Sequence, residues 1–375
     1  MKNLYIGLMS GTSMDAVDAV LVDNANILPK IIATHKHEMP LSLKTELSKL
    51  CHPDDNEINR LSEADILVGE LFANATLSLL QKAQVSSKDI IAIGSHGQTI
   101  RHRPDLKFTL QICDPNIIAA RTDITTVADF RRKDMAQGGQ GAPLAPAFHR
   151  VVFHSDKTDR VILNIGGIAN MTVLKANDPN FILGFDIGPG NTLMDAWISK
   201  HKQVAFDKDG QWAASGTVNK TLLKKLLADP YFKLPAPKST GREKFNLKWI
   251  PLVLSAGMTA ENIQCTLAEL TAITISDSIK KLLPKAEILV CGGGAHNDYL
   301  IKRLQTLMPQ NTVALTDDFG LPADWIEAMT FAWLAKQTIN KQAIDLTKIT
   351  GSKQPVVLGG IYFQQLGRKR PRLFP

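Results

Sequence analysis

Five polar stretches hold the residue types that could do chemistry. Residues 10–15 read Ser-Gly-Thr-Ser-Met-Asp, set between the apolar runs 4–9 and 16–22. Gly11 has no Cβ, so it can take positive φ and let main-chain N–H groups turn toward a guest. Thr12 and Ser13 add hydroxyls and Asp15 a carboxylate. Donors converging in this way form an anion nest suited to phosphate, and the same residues make an ordinary hairpin turn. Their types alone do not separate the two readings, and the loop lacks the lysine of a Walker-type site. Gly292, Gly293 and Gly294 follow an apolar run and precede a helix carrying Leu300, Ile301 and Leu304. Three glycines there would admit a nucleoside to the backbone, with the helix N-terminus favouring anions, or would simply make a tight connection.

Asp186 follows the apolar run 181–185 and is trailed by Gly188, Pro189 and Gly190. A carboxylate at a strand end can act as a general base, or can bond its own backbone in a turn. His96 sits in Gly94-Ser95-His96-Gly97-Gln98-Thr99, close to Arg101, His102 and Arg103. That stretch reads as a polar turn, able to hold a hydroxylated, carboxylated ligand or to leave a loop histidine partly solvated. With no third ligand near His96 and His102, zinc is not indicated. Glu327 follows Asp324 by three residues, the spacing of a capping box.

The elements around these residues alternate. Strands are expected at 31–38, 90–93 and 124–128, with a helix through Ala64, Leu67, Val68, Leu71, Phe72, Ala75 and Leu79 at helical spacing. Alternation of strand and helix argues an α/β fold. Asp129 to Pro143 packs charge and three glycines into a loop-like stretch and marks a domain boundary. A hairpin then recurs at 161–174, with Gly166 and Gly167 at its turn. Two such hairpins, each opening an α/β half, suggest an internal duplication, with a cleft between halves as the ligand site. Asn191 or Thr192 can cap the helix carrying Leu193, Met194 and Trp197. Residues 207–246 read as a surface excursion. Met258 and Ile263 read as a staple on the helix through Leu267, Leu270 and Ile273. A further helix starts near Asp324, and 356–363 is a last strand or turn.

At 375 residues the chain exceeds a typical single core, so two domains are expected. It is 44% hydrophobic and 21% charged, which suits a folded globular protein and argues against disorder. Cys51, Cys113, Cys265 and Cys291 have neither metal nor disulfide spacing, which fits a reducing cytoplasm. No signal peptide or membrane span is read. Of the net charge of +7, Arg368, Lys369, Arg370 and Arg372 contribute four, as a solvated tail rather than a nucleic-acid contact.

Taken together, Gly11-Thr12-Ser13-Met14-Asp15, Ser95-His96-Gly97-Gln98-Thr99, Asp129-Phe130-Arg131 and the 138–143 stretch Gly-Gly-Gln-Gly-Ala-Pro are similar to the anhydro-N-acetylmuramic acid kinase family. So are 164–170, Gly188-Pro189-Gly190-Asn191, Gly292-Gly293-Gly294 and Glu327-Ala328-Met329, all in the family's order. The resemblance implies two duplicated α/β domains of the sugar kinase/Hsp70/actin (RNase H-like) fold, with ATP in an interdomain cleft. With the boundary at the loop-like stretch, the first domain is expected at 1–130 plus about 346–375 and the second at 131–345. It implies ATP contacts from Gly11, Thr12, Ser13, Met14, Asp15, Ala16, Val17 and Asp18, from Gly166 and Gly167, and from Gly292, Gly293 and Gly294. Substrate contacts are implied for His96, Gln98, Asp129, Gln140, Asn191 and Glu327, with Asp186 as the catalytic base.

The implied reaction opens a 1,6-anhydro bond with water and phosphorylates O6, giving N-acetylmuramate 6-phosphate in cell-wall recycling. Mg²⁺ is inferred from the needs of phosphoryl transfer. The implied partners are the sugar and ATP, with neither nucleic acid nor membrane, and a homodimer is left open. Ala16 and Ile187 depart from the family's usual glycine and threonine without removing a charge. A kinase for another sugar, and a chaperone-like or filament-forming ATPase of the same fold, are the alternatives.

Overall fold

In a computed structural model of the chain, the described residues are 3–236, 238–242, 244–251 and 257–364. The basic cluster at 368–372 lies outside them. The chain divides into two compact units. One holds the residues up to Phe148 together with those from Glu327 onward, and the other spans His149–Ile326. The limits read from the sequence were 130 and about 345. Both observed limits fall inside helices, Ala145–Phe153 and Ile326–Ile339.

The first unit is built on a seven-stranded sheet. Its strands are β1 (Leu4–Ser10), β2 (Ala16–Asp23), β3 (Lys30–Glu38), β4 (Ile90–Arg103), β5 (Phe108–Ile112) and β6 (Thr126–Ala128). The seventh, Gly360–Tyr362, is numbered β12 by its place in the chain. β1, β2 and β3 form an antiparallel meander; β4 then pairs parallel to β1, and β6 parallel to β4. A parallel pair requires a crossover, and the 27-residue helix Glu57–Ala83 supplies much of it between β3 and β4. Ala64, Val68, Phe72, Ala75 and Leu79 of that helix are buried as their spacing predicts, whereas Leu67 is exposed.

The second unit repeats the plan. β7 (Arg160–Ile165), β8 (Ile168–Lys175) and β9 (Asp178–Pro189) form the meander. β10 (Glu287–Cys291) pairs parallel to β7, and β11 (Thr312–Leu315) parallel to β10. The order β11-β10-β7-β8-β9 matches β6-β4-β1-β2-β3 strand for strand. The duplicated α/β architecture expected from two glycine-turn hairpins is therefore present.

All seven residues of β1 are buried, as befits a central strand covered on both faces. Two glycines explain how its cover fits. A Cβ on Gly7 would lie 1.8 Å from the carbonyl oxygen of Ala328, and one on Gly94 would lie 2.0 Å from that of Phe331. The backbone of the helix Ile326–Ile339 thus rests directly on β1 and β4, a close approach that glycine in a strand allows. This contact also fixes the first turn of that helix, where Glu327 stands.

The structure departs from two sequence expectations. Residues 94–99 are no turn: β4 runs on through them to Arg103. The pairing of β1 with β4 shifts register between Leu8 and Ser10, so that Leu8 faces Ser95 while Ser10 faces Gln98. Gly97, at φ 75°, absorbs the extra residue. Likewise β9 continues through Asp186 to Pro189, so Asp186 lies within a strand and not beyond its end. Among the described residues no helix is long and apolar enough to cross a membrane.

Candidate active site

In the first unit, the loop between β1 and β2 turns differently from the expectation. The left-handed residue is Met14, at φ 54°, and not Gly11. The turn closes with Met14 N–H donating to the Gly11 carbonyl at 3.2 Å. A Cβ on Gly11 would meet nothing within 4 Å, so this glycine leaves open space rather than relieving a clash. Thr12 is exposed, and Asp15 is exposed and ion-paired with Lys44. Met14, Ala16 and Val17 are buried, with Met14 and Val17 in the apolar core. Of the stretch 11–18, those three can therefore meet a ligand through main chain only.

Gln98 holds this loop from behind. It is fully buried, its Oε1 accepts from the Ser10 hydroxyl at 2.7 Å, and its Nε2 donates to the Gly11 carbonyl at 3.4 Å. His96 is buried as well. Arg131 Nε donates to its Nε2 at 2.9 Å, so the ring proton sits on Nδ1, which donates to the Gly97 carbonyl at 2.8 Å. Burial, then the charge of Arg131, hold this imidazole well below its ordinary pKa. It is a neutral, fixed ring whose two nitrogens are both engaged within the protein.

Asp129 is left-handed at φ 64° and pairs with Arg132 at 2.6 Å, without capping the helix Phe130–Ala136 that it precedes. Gln140 is exposed on the glycine loop, its N–H donating to the Thr350 carbonyl at 2.9 Å. Glu327 is exposed in the first turn of its helix. Asp324, its proposed capping partner, lies in the three-residue helical turn Ala323–Trp325 and pairs with His296 at 2.8 Å.

In the second unit the sequence-read glycines converge. The carbonyl of Gly166 accepts from Asn191 N–H at 2.8 Å. That of Gly167 accepts from Gly190 N–H at 2.9 Å and Thr192 N–H at 3.0 Å. The Asn191 side chain makes no helix cap; its Nδ2 donates to the Ile165 carbonyl at 3.1 Å. Gly292, at φ 78°, packs where a Cβ would lie 2.2 Å from Asn164 Oδ1, and Gly294 where a Cβ would lie 2.3 Å from Ile165 Cγ2. Hence both glycine turns and Asn191 gather at the carboxyl ends of the parallel strands β7 and β10, the edge where open α/β sheets take ligands. The helix Asp298–Leu307 does not offer a bare N-terminus there, because Asn297 caps it by accepting from Leu300 N–H at 3.0 Å. The glycine backbone, with Gly293 exposed, is the surface a ligand would meet.

Asp186 pairs with Asn170 in the β8–β9 ladder, next to the same edge. Its Oδ2 accepts from Thr240 N–H at 3.0 Å, its N–H donates to the Lys238 carbonyl at 2.9 Å, and its carbonyl accepts from the Tyr231 hydroxyl at 2.7 Å. Burial first, and then the charge of Asp186, raise the pKa of that phenol, so it remains a donor. The stretch read as a surface excursion thus returns to orient Asp186. Sequence reasoning missed Tyr231, which acts through its hydroxyl, Lys238 and Thr240, which act through backbone atoms, and, in the first unit, Asp134 and Thr350.

A sequence model of the family described as anhydro-N-acetylmuramic acid kinase matches residues 3–364. The chain belongs to this family. A relative of that name from Shewanella denitrificans is 52% identical over 362 residues, covering 96% of this chain and 98% of the relative. Another from Coxiella burnetii is 51% identical over 366 residues, with the same coverage. Among solved structures, the activator of the 2-hydroxyisocaproyl-CoA dehydratase from Clostridium difficile, with bound ADPNP, is 14% identical. It covers 90% of this chain and 97% of its own at a TM-score of 0.47, too distant to bear on function. Kinase activity, with ATP as phosphoryl donor and an amino sugar as acceptor, follows from the family. The chaperone and filament alternatives are set aside.

Proposed function

We propose that the chain opens the 1,6-anhydro bond of 1,6-anhydro-N-acetylmuramic acid with water while transferring the γ-phosphoryl group of ATP to the freed O6. Asp186 is the general base. It takes a proton from water as the oxygen bonds to C1; the C1–O6 bond breaks and O6 attacks the γ-phosphorus, with ADP leaving. Water is a weak nucleophile at neutral pH, so a positioned carboxylate is what the chemistry requires. The observation that carries this reading is the placement of Asp186. It is held by Thr240 N–H on the strand that ends at Pro189, and the adjoining Gly190 bonds the Gly166–Gly167 turn.

The glycine backbones of the two hairpin turns and of 292–294 are assigned to the nucleotide. Gln140, Asn191 and Glu327 are assigned to the sugar, along with Asp129. His96 and Gln98 support the site, by holding Arg131 and the first loop. Among the described residues no three His, Cys, Asp or Glu side chains gather into a metal site. Mg²⁺ commonly uses one or two carboxylates with substrate phosphates and water, so it would enter on the nucleotide, neutralising the polyphosphate. Cys51, Cys113, Cys265 and Cys291 form no disulfide with one another, which supports a reducing, cytoplasmic setting for a step of cell-wall recycling.

The test is product analysis in ¹⁸O-water. Label at C1 of a sugar 6-phosphate is expected, with unlabelled oxygen under the phosphate. Label in released inorganic phosphate, with no sugar phosphate formed, would indicate a plain ATPase.

A further inference from the structure

We propose that Asp134 is a positioning residue for the sugar: its buried carboxylate holds the loop 138–141 in the shape that presents Gln140. The inference rests on the reading of Gln140 as a sugar contact. Asp134 lies on the helix Phe130–Ala136 and is fully buried. A charged group in that setting is retained only if its oxygens are bonded, and both are. Oδ2 accepts from Gly141 N–H at 2.7 Å and Oδ1 from the Thr350 hydroxyl at 2.7 Å. The Asp134 carbonyl also accepts from Gln137 N–H at 2.9 Å and Gly139 N–H at 3.1 Å.

The loop closes over this carboxylate because it is glycine-rich. A Cβ on Gly139 would lie 2.2 Å from Asp134 Oδ2, and Gly138 and Gly141 take φ of 86° and 76°. Arg131 Nη1 donates to the Gly141 carbonyl at 3.0 Å, and Gln140 N–H donates to the Thr350 carbonyl. Gln140 is therefore flanked by two residues tied to Asp134, Gly141 to its carboxylate and Gly139 to its carbonyl, while Gln140 itself stays exposed. Burial pushes the Asp134 carboxyl above its ordinary range, against the pull of Thr350, Gly141 and Arg131. Asp134 touches no substrate in this scheme; it acts through the loop.

The experiment is steady-state kinetics of the full chain with 1,6-anhydro-N-acetylmuramic acid and ATP, for Asp134→Asn, Thr350→Val, Thr350→Ser and Gln140→Ala, with melting temperatures alongside. Asn cannot reproduce two accepted bonds. Misplacing a binding group costs on the order of 10²-fold in kcat/KM at the upper end, so Asp134→Asn should raise the sugar KM strongly and leave the ATP KM unchanged. Thr350→Val should move the sugar KM in the same direction, and Thr350→Ser, which keeps the hydroxyl, should restore it. If Gln140→Ala raises the sugar KM but Asp134→Asn and Thr350→Val do not, the positioning role is overturned alone. If Gln140→Ala leaves the sugar KM unmoved, the reading of Gln140 falls and the proposal with it. Should Asp134→Asn fail to fold, the Val and Ser variants at Thr350 decide the matter by their contrast.

Discussion

The Nε of Arg131 donates to Nε2 of His96 at 2.9 Å, so a buried histidine in the most ligand-like motif of the first unit is an acceptor on that nitrogen. With Nδ1–H bonded to the Gly97 carbonyl, the ring is locked as the neutral Nδ1–H tautomer. A histidine with an ordinary pKa changes charge between about pH 5 and 8; His96 should not. Imidazole nitrogen shifts across that range should show one unchanging tautomer. A titration near the ordinary value would contradict the bonding described.

Buried histidines also set the response to acid. His149 is buried with Nδ1 2.9 Å from the Thr172 hydroxyl, and burial pushes its pKa down to about 3. His102, lowered to about 4 by burial and then by Arg131, adds to this. A histidine whose folded pKa is depressed binds fewer protons folded than unfolded, so stability rises with pH over that window. For His149 the loss should begin as pH falls through 6.5 and continue to about 3. Melting temperature should fall across that window, and less steeply in His149→Gln. An equal slope in the variant would place the acid sensitivity elsewhere.

Gly7 and Gly11 stand four residues apart and should behave oppositely. Alanine at Gly7 would drive a Cβ to 1.8 Å from the Ala328 carbonyl oxygen, whereas at Gly11 it meets open space without positive φ. Overpacking a core costs roughly 1–3 kcal/mol, occasionally more, so Gly7→Ala should lower the melting temperature sharply or prevent folding. Gly11→Ala should melt like the parent protein and raise the KM for ATP, because the added methyl occupies the space assigned to phosphate. Thermal unfolding paired with ATP kinetics separates the two. An unchanged ATP KM in Gly11→Ala would remove this loop from the nucleotide site.

Ser10→Ala tests the support beneath that loop. It leaves the buried Oε1 of Gln98 without the hydroxyl that donates to it at 2.7 Å. Stranding a buried acceptor costs about 1–3 kcal/mol, a loss visible in chemical denaturation. No measurable loss would mean that Gln98 finds another donor.

The parts of the fold legible in the sequence were those where local pattern and tertiary role agree. The run 4–9, the turn and the run 16–22 were read as a hairpin, and β1 and β2 form one. Glu287 to Cys291 was read as a strand and is β10. The two glycine-turn hairpins gave the duplication. Pattern failed where polar residues sit inside a strand. Ser95, His96, Gln98 and Thr99 are turn-type residues by composition, yet β4 buries the first three and Gly97 bends the ladder to fit them. Asp186 was legible as a carboxylate beside glycines, but its tethers, Tyr231, Lys238 and Thr240, are some fifty residues on and bond through the backbone or to it. Gly7 and Gly94 carry a subtler signal, since lone glycines in buried strands mark a close backbone approach. Asp134 is hidden among charged neighbours in the sequence; its burial and its bonds to Gly141 and Thr350, which lie apart in the chain, set it off from Asp129, which pairs with the nearby Arg132.

The central claim is that Asp186 removes the proton from water, and the most direct measurement is the turnover of Asp186→Asn with both substrates. Asn keeps the shape and can still accept the Thr240 N–H bond, but it cannot take a proton. Loss of a general base typically costs ~10²–10⁴-fold in rate, or roughly 3–5 kcal/mol of barrier. The account predicts a loss of kcat in that range, with the ATP affinity and melting temperature close to those of the parent. Near-normal turnover in Asp186→Asn would contradict it, and so would a folded, ATP-binding variant whose loss appears only in the sugar KM.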